Sequence, residues 1–473
     1  MVCMSRLQFL RRRLRELRTA NGANVTITFA LATVPVVGFV GAAVDYSHAN
    51  AVKASMQMAA DSTALMLSKT AALLTISDIE TKAGDYFKAL ITRTDTTGMS
   101  VTAAYSTTGG SKIVITASTT VKTSFMGLMG FSSLPVKVSS QVKWGNTKLR
   151  VALVLDVTGS MYDDGKIAAL KTATKNLLDK LKDAATTNGD VYVSIIPFSK
   201  DVNVGSTNYT ATWIDWTDWE ATNGDCSRSG SAFSNKSVCE ATPKCSKTQY
   251  TTENSCEDHS GHWYTTPGTW TPNNRNTWNG CVTDRGTTSA PSVGNYDTNV
   301  TTPDIAVTAT LFPAEQYGSC PDKIMGLNYD WTAMKTMIDG LDPNGNTNQG
   351  IGLVHGWQSL VGGGPYPAPP AEDPNYKYTK VIILMSDGLN TQNRWYSSQS
   401  SIDTRESMTC VNAKAAGITI YAVQVNTGGD PTQTVMKNCA GDAAKFFELK
   451  SANALIAAFD SIGTALTNLR IAQ

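Results

Sequence analysis

The feature that most restricts the fold of this chain is a run of twenty residues without charge, Val25–Val44, near the N-terminus. A helix of that length spans about 30 Å, which is the thickness of the hydrocarbon core of a bilayer. Six arginines precede the run against one acid, Glu16, and positive residues beside a single span favour a cytoplasmic N-terminus. We therefore expect a cytoplasmic leader over residues 1–22, a transmembrane anchor over residues 23–45, and the rest of the chain outside the cytoplasm.

Two other interpretations of this stretch remain open. Small residues at Gly41-Ala-Ala offer a site for a signal peptidase, although the apolar run is long for a signal peptide. The arginines could bind nucleic acid, but the formal net charge of the chain is only +1, without the basic excess of most nucleic-acid binders. We expect an uncleaved single-pass anchor and no nucleic-acid partner.

Residues 46–90 keep a helical pattern without proline, so we expect them to prolong the membrane helix outward. Between Ser100 and Trp144 the pattern becomes alternating, with Val101–Tyr105 and Lys112–Thr116 flanking a Gly-Gly turn at residues 109–110. Such a pattern is typical of a β-hairpin. Residues 46–147 are therefore predicted to form a helix plus a small antiparallel sheet, an architecture similar to that of pilins.

The opening of the chain also resembles a known family. The segments concerned are Asn21-Gly-Ala-Asn-Val-Thr-Ile-Thr-Phe-Ala-Leu-Ala, Ala43-Val-Asp-Tyr-Ser and Ala59-Ala-Asp-Ser-Thr-Ala-Leu, and they resemble the N-terminus of TadE/TadG-like proteins of bacterial tight-adherence (Flp-type) pilus assembly. This resemblance implies a bacterial inner-membrane protein with a periplasmic bulk and other pilus-assembly components as partners. Smaller pseudopilins carry a glutamate five residues after the cleavage-site glycine. Counted from Gly22 that position is Ile27, so we expect the leader to be retained.

A second constraint comes from two apolar runs that each end in an aspartate. Val151–Leu155 and Val381–Met385 are typical of strands buried on both faces. The polar residues that follow these runs are Asp156, Thr158, Ser160 and Asp387. They would lie at the carboxyl ends of strands, where open α/β sheets bind ligands. Carboxylates and hydroxyls in a tight turn suit a hard divalent cation.

A threonine, Thr347, lies in a turn-rich loop just before the helical stretch Ile351–Leu360. Together with this threonine, the residues after the two apolar runs resemble the metal-ion-dependent adhesion site of a von Willebrand factor type A domain. The positions that match are Asp156, Thr158, Ser160, Thr347 and Asp387. Thr158 stands where the family usually has serine and keeps the hydroxyl. The resemblance implies bound Mg²⁺, or Mn²⁺ or Ca²⁺ in its place, with one coordination position open to an acidic residue of a partner protein. The competing interpretation is that both aspartates only cap helices or bracket turns.

Alternating strand and helix patterns predict a largely parallel α/β sheet covered on both faces. The resemblance implies that this is the doubly wound, mostly parallel fold of a von Willebrand A-type domain, over residues 148–470. A segment rich in cysteine and tryptophan, residues 205–325, interrupts it. Because a structureless loop of that length is improbable, we interpret it as a disulfide-rich insertion. Its cysteines are Cys226, Cys239, Cys245, Cys256, Cys281 and Cys320, and their connectivity stays open.

The insertion admits several ligands. Cys256, His259 and His262, with Cys245, are spaced as zinc ligands could be, and the tryptophans could form a surface that binds sugar or protein. The simpler interpretation makes the cysteines disulfides of an oxidising compartment and the tryptophans a small core.

Cys410 and Cys439 are the only cysteines after the insertion, so we predict that they form a disulfide.

We expect a membrane-anchored pilus-assembly or envelope scaffold protein that is not an enzyme and binds a protein partner through the metal. The alternative is a cell-surface adhesin that binds a host or matrix ligand through the same site and the insertion. A metal-dependent hydrolase would need a general base, and the isolated His355 in a helical stretch is a poor candidate.

Overall fold

The computed structural model describes residues 21–471 with short gaps. The gaps are residues 72–73, 94, 108–109, 145–146, 186, 287–295 and 375, and side chains are not described for residues 21–24 and 469–471. Most of the predicted leader, with its arginines and Cys3, thus lies outside the described residues. The chain divides into two compact units, with the boundary between Asn146 and Thr147.

The structure describes two α-helices in the first unit. Helix α1, Asn21–Ser68, is continuous over 48 residues. It is the only described helix that is long and apolar enough, over Val25–Ser68, to cross a membrane. Its most apolar stretch of 18 residues is mostly exposed, with 6% of it buried. Helix α2, Ile76–Leu90, is separate, whereas the sequence pattern predicted one helix through residue 90. The break follows from a reciprocal capping box between Thr75 and Asp78, which starts a new helix.

The sheet of the first unit is an antiparallel meander, and its first two strands form a hairpin at the place where the alternating pattern predicts one. Its strands are β1 (Thr96–Ser106), β2 (Ser111–Lys122) and β3 (Ser133–Trp144), in the order β1-β2-β3. Ile113 and Ile115 on β2 are fully buried and pack in one cluster with Val52 and Met56 of α1. The C-terminal half of α1 is thus a core element of this unit.

A six-stranded sheet forms the centre of the second unit. Its strands are β4 (Thr147–Asp156), β5 (Val191–Phe198), β6 (Met325–Asn328), β7 (Lys377–Ser386), β8 (Thr419–Val425) and β9 (Phe446–Leu449). They lie in the order β6-β5-β4-β7-β8-β9. All neighbouring pairs are parallel except β6 and β5. Strand β6 was not predicted from the sequence, because its four residues, Met-Gly-Leu-Asn, carry no alternating pattern.

Helices cover both faces of this sheet. They are α3 (Lys166–Ala184), α4 (Trp331–Gly340), α5 (Gln349–Val361), α6 (Gln399–Ala415), α7 (Thr434–Ala440) and α8 (Ala454–Ile471). Val151 and Leu153 of β4 pack with α3, α4 and α8 in one cluster. Ala152 and Val154 pack with α5, α6 and α7 in the other. Successive residues of β4 therefore face two separate cores, as its apolar sequence predicts.

The segment between β5 and β6 holds small sheets and short helices. A four-stranded sheet consists of Val202–Asn203, Cys281–Val282, Phe312–Glu315 and Ile214–Asp215. Two-stranded pairs are Gly224–Cys226 with Trp270–Pro272 and Lys244–Cys245 with Trp263–Tyr264. The helices are Thr217–Thr222, Lys236–Glu240 and Glu253–Asp258. These elements are too short to be stable without cross-links or a shared core.

Both kinds of support are present in the insertion. Its disulfides are Cys226–Cys239, Cys245–Cys256 and Cys281–Cys320. Trp216 lies edge-on to Trp219 and Trp278, with ring centroids 5.4 Å and 5.3 Å apart, and all three are buried. These tryptophans form a core, in agreement with the simpler interpretation.

Candidate metal site at the carboxyl ends of the central strands

The first site residue, Asp156, is the last residue of β4 and is fully buried. Its Oδ1 accepts a hydrogen bond from the Thr158 backbone N–H at 2.8 Å, and its Oδ2 accepts one from the Ser386 hydroxyl at 2.5 Å. Ser386 ends β7, the neighbouring strand. The aspartate is thus fixed by its own loop and by the adjacent strand.

Hydroxyls connect this loop to the second aspartate. The Thr158 and Ser160 hydroxyl oxygens lie 3.2 Å apart, and the Ser160 hydroxyl donates to Asp387 Oδ1 at 2.8 Å. Asp387 follows β7 directly and is 4% exposed. Four of the five residues singled out by the sequence pattern therefore form one connected group, although 227 positions separate Ser160 from Asp387.

Backbone contacts bring the Thr347 loop to the same place. The Gly159 N–H donates to the Gly345 carbonyl at 3.0 Å, and the Asn344 N–H donates to the Val157 carbonyl at 2.8 Å. Thr347 itself is nearly buried. Within the described part of the chain, no hydrogen bond joins the Thr347 hydroxyl to the other four residues. The loop is adjacent to the site. The Thr347 backbone N–H donates to the Thr391 hydroxyl at 2.8 Å, and the Thr347 carbonyl accepts from the Thr391 N–H at 2.9 Å.

Lys166 is a member of the site that the sequence analysis missed. Its ammonium group donates to Asp387 Oδ2 at 2.7 Å, and its side chain is only 9% exposed. It occupies the first position of α3, where a positive charge is opposed by the helix dipole. A lysine at this unfavourable position was a signal that an acidic partner lies nearby.

The electrostatics of the site are dominated by two buried carboxylates. Burial and the negative charge of Asp387 together raise the pKa of Asp156 to about 7, against the lowering effect of the hydrogen bonds from Ser386 and Thr158. Charge in this environment is costly unless it is compensated. Lys166 supplies one positive charge for the pair, so the site has a deficit of positive charge whenever both aspartates are ionised.

This donor set fits a small hard cation. Two carboxylates and hydroxyl oxygens are the ligand types that Mg²⁺ takes in proteins, with water completing its shell. The Lys166 ammonium already contacts Asp387, so a metal bound there would share that carboxylate with the lysine. The residues present are therefore compatible with Mg²⁺ or Mn²⁺.

A second group of buried polar residues is hydrogen-bonded to the residues on either side of Asp387. The Gln349 amide donates to the Ser386 hydroxyl at 3.0 Å and to the Gly388 carbonyl at 2.9 Å. The Gln349 backbone N–H donates to Asn390 Oδ1 at 2.8 Å. Asn390 in turn donates to the carboxylate of Glu406 at 2.7 Å. These contacts fix the two loops, and no periodic sequence pattern indicates them.

The zinc alternative in the insertion is not supported. Cys245 and Cys256 are joined to each other, so neither offers a thiolate. The His259 ring stacks on Tyr250 with centroids 4.3 Å apart. His355, the isolated histidine of the second unit, is buried, and burial lowers its pKa to about 3. It is neutral at physiological pH and hydrogen-bonded to Tyr366.

Comparison with known proteins agrees with the N-terminal resemblance. Residues 23–67 match the Flp pilus-assembly TadE/G-like family. This match covers the apolar run and the first turns beyond it and confirms the resemblance stated above. No curated protein matches the chain.

Several solved structures are similar at low sequence identity. The pilus adhesin SpaC from Lactobacillus rhamnosus GG is 13% identical with a TM-score of 0.34, over 79% of this chain and 34% of that one. The vWF domain of the type V pili tip protein Mfa5 from Porphyromonas gingivalis is 11% identical with a TM-score of 0.35, over 70% of this chain and 98% of that one. Proximal thread matrix protein 1 from the mussel byssus, with a zinc-occupied MIDAS motif, is 14% identical with a TM-score of 0.32, over 69% and 47%. This chain thus spans about a third of the length of SpaC.

Proposed function

We propose that this chain is an exported, membrane-anchored component of pilus assembly or of the cell envelope, which binds a partner protein through a magnesium-dependent adhesion site. In this proposal it is a binding protein and not an enzyme. Its parts are a cytoplasmic leader (1–22), an anchor (23–45), a pilin-like segment (46–147) and a type A domain (148–470) with its insertion (205–325).

The strand order supports the type A assignment. Counted along the chain, the order β6-β5-β4-β7-β8-β9 is 3-2-1-4-5-6, with one antiparallel edge strand and helices on both faces. In such a doubly wound sheet the connections diverge on either side of the first strand, and ligands bind at that point. Asp156 ends β4 and Asp387 directly follows β7, and these two strands are neighbours at that point.

The observation that carries the proposal is the hydrogen-bonded series from Asp156 through Thr158 and Ser160 to Asp387. With Thr347, these residues would hold the metal, directly or through water. A bound Mg²⁺ would supply a positive centre that attracts a carboxylate from the partner. The oxygen-only donor set favours Mg²⁺ or Mn²⁺ over softer metals.

Metal binding by the full chain in detergent tests the proposal. We expect calorimetry to detect Mg²⁺ or Mn²⁺ binding that Asp156→Asn and Ser160→Ala weaken at least about tenfold, or about 1.4 kcal/mol. Asp183→Asn, at an exposed aspartate on α3, is the matched control and should bind as the wild type does. Equal binding by all four proteins would refute the site.

Partner capture and topology are separate tests. Metal-dependent pulldown of an envelope or pilus-assembly protein, lost in Asp156→Asn, would identify the partner. The arginine-rich leader favours a cytoplasmic N-terminus with the bulk of the chain in the periplasm. Protease accessibility in intact cells and spheroplasts tests this orientation, and exposure of the second unit on intact cells would favour the adhesin alternative.

A further inference from the structure

An exposed apolar loop joins β2 to β3 in the first unit. Four of its large side chains are exposed, namely Phe125 (42%), Leu128 (87%), Met129 (51%) and Phe131 (61%). Residues 123–136 carry no charged side chain. A concentration of large exposed apolar residues in one short loop is unusual for a surface in water and marks a contact site.

The loop lies beside the apolar part of helix α1. The nearest atom to a Cβ built on Gly38 would be Met129 Sδ at 3.3 Å, and a Cβ on Gly41 would lie 2.4 Å from Phe125 Cβ. Both glycines fall within the uncharged run Val25–Val44. Any larger residue at position 41 would collide with Phe125, so the absence of a side chain there lets the loop approach the helix closely.

The distance along the helix gives the depth of this contact. Asp45 is the first charged residue after the run, and Gly38 lies seven positions before it. Seven residues of α-helix correspond to about 10 Å. If Val25–Val44 spans the bilayer, the loop therefore reaches about 10 Å below the level of Asp45, among the acyl chains of the outer leaflet.

Several backbone N–H groups of the loop are hydrogen-bonded within the protein, so they do not need water as a partner. The Asp45 carboxylate accepts hydrogen bonds from the backbone N–H groups of Ser124, Phe125 and Met126 at 2.9, 2.8 and 2.7 Å. Further on, the N–H groups of Leu128, Gly130 and Phe131 donate to carbonyls within the loop. Internal pairing of backbone donors is what a segment needs to enter hydrocarbon.

We propose that the loop Phe125–Phe131 is a second membrane contact, which inserts its apolar side chains among lipid acyl chains beside the anchor. We infer lipid as the partner of this loop because its exposed side chains lie beside the apolar surface of α1 that would face lipid. On that surface Phe29, Val34 and Phe39 are 73–78% exposed. The inference rests on the anchor of the proposed function. Its consequence is that the first unit is held against the membrane at two points and has a fixed orientation to it.

Depth-dependent fluorescence quenching on the full chain tests the inference. In a Cys3→Ser background, Leu128→Cys is labelled with an environment-sensitive dye and the protein is reconstituted into phosphatidylcholine vesicles. Leu128 is almost fully exposed, so its replacement disturbs no packing. We expect a lipid carrying a nitroxide near the glycerol end of its acyl chain to quench this probe several-fold more than aqueous iodide does.

Two control positions make the outcomes distinguishable. Ser77→Cys, at the exposed start of α2, reports water, because α1 runs about 35 Å beyond Asp45 before it ends at Ser68. Val34→Cys reports the anchor itself.

Quenching of the Leu128 and Val34 probes by the lipid, with the Ser77 probe open to iodide, supports the inference. The loop proposal fails and the anchor stands if the lipid quenches the Val34 probe but iodide quenches the Leu128 probe. The same conclusion follows if neither quencher reaches the Leu128 probe because protein covers it. If iodide reaches the Val34 probe, both fail.

Discussion

Lys166 and Asp387 form a buried ion pair, with Nζ and Oδ2 2.7 Å apart and the side chains 9% and 0% exposed. The same aspartate is one of the residues proposed to hold the metal. The lysine therefore supplies positive charge where a cation would otherwise be required. A divalent ion close to Asp387 would be repelled by the ammonium group, so metal and lysine compete for one carboxylate.

Replacement of this lysine should separate metal affinity from stability. In Lys166→Met we expect a lower melting temperature without metal, since breaking a buried ion pair costs about 3–5 kcal/mol. We also expect Mg²⁺ to bind about tenfold more tightly, or about 1.4 kcal/mol, because its competitor is gone. Thermal unfolding with and without Mg²⁺ measures both effects. Lys182→Met, at an exposed position on the same helix, should change neither, and weaker Mg²⁺ binding in Lys166→Met would contradict the competition.

Glu406 should make stability depend on pH. Burial, with a smaller contribution from the charge of Asp403, raises the pKa of Glu406 to about 8, against the lowering effect of the hydrogen bond from Asn390. Because the folded pKa exceeds the unfolded value, the favourable contribution is complete below about pH 4.5 and is lost as the pH rises to about 8. The loss from this group is at most about 1.4 kcal/mol per pH unit. In Glu406→Gln we expect a flatter dependence of unfolding free energy on pH between 5 and 8, whereas exposed Glu257→Gln should keep the wild-type slope.

The bond between Cys410 and Cys439 should contribute substantially to the stability of the second unit. It links α6 to α7 and closes a segment with a sequence separation of 29. Chain-entropy arguments give about 3–4 kcal/mol for a loop of this size. We expect the double variant Cys410→Ala/Cys439→Ala to unfold at correspondingly lower denaturant concentration. Alkylation of the unreduced protein is the independent check, and modification of either cysteine there would show that the bond does not form.

Trp278 should be essential to the insertion as a core residue. Its indole N–H donates to the Cys281 and Glu315 carbonyls at 2.8 Å and 3.1 Å, and the ring is almost fully buried. We expect Trp278→Ala to lose about 3–5 kcal/mol and to open the insertion to proteolysis. Trp263→Ala, at a half-buried tryptophan, should have a much smaller effect. A loss of ligand binding with unchanged protease resistance would instead indicate a sugar- or protein-binding surface.

The sequence was most informative where one pattern determines one geometry. The apolar runs of β4 and β7 could be predicted because both strands are buried on both faces, and strand ends fix where Asp156 and Asp387 lie. Ser386 could not be predicted as a site member from these patterns, because its contact with Asp156 depends on a parallel pairing between distant segments. Lys166 was indicated only by its unfavourable position at a helix start, which does not say which acid it contacts. The end of α1 was missed because a capping box overrode a continuous helical pattern. The pairing of the insertion's cysteines depends on contacts that no local pattern encodes.

The continuity of helix α1 has a mechanical consequence. The helix runs from Asn21 to Ser68 without interruption, and its C-terminal half is packed into the core of the first unit through Val52 and Met56. No flexible joint therefore separates the apolar segment from the sheet. If Val25–Val44 spans the bilayer, a tilt or axial rotation of the helix in the membrane would turn the whole first unit by the same angle.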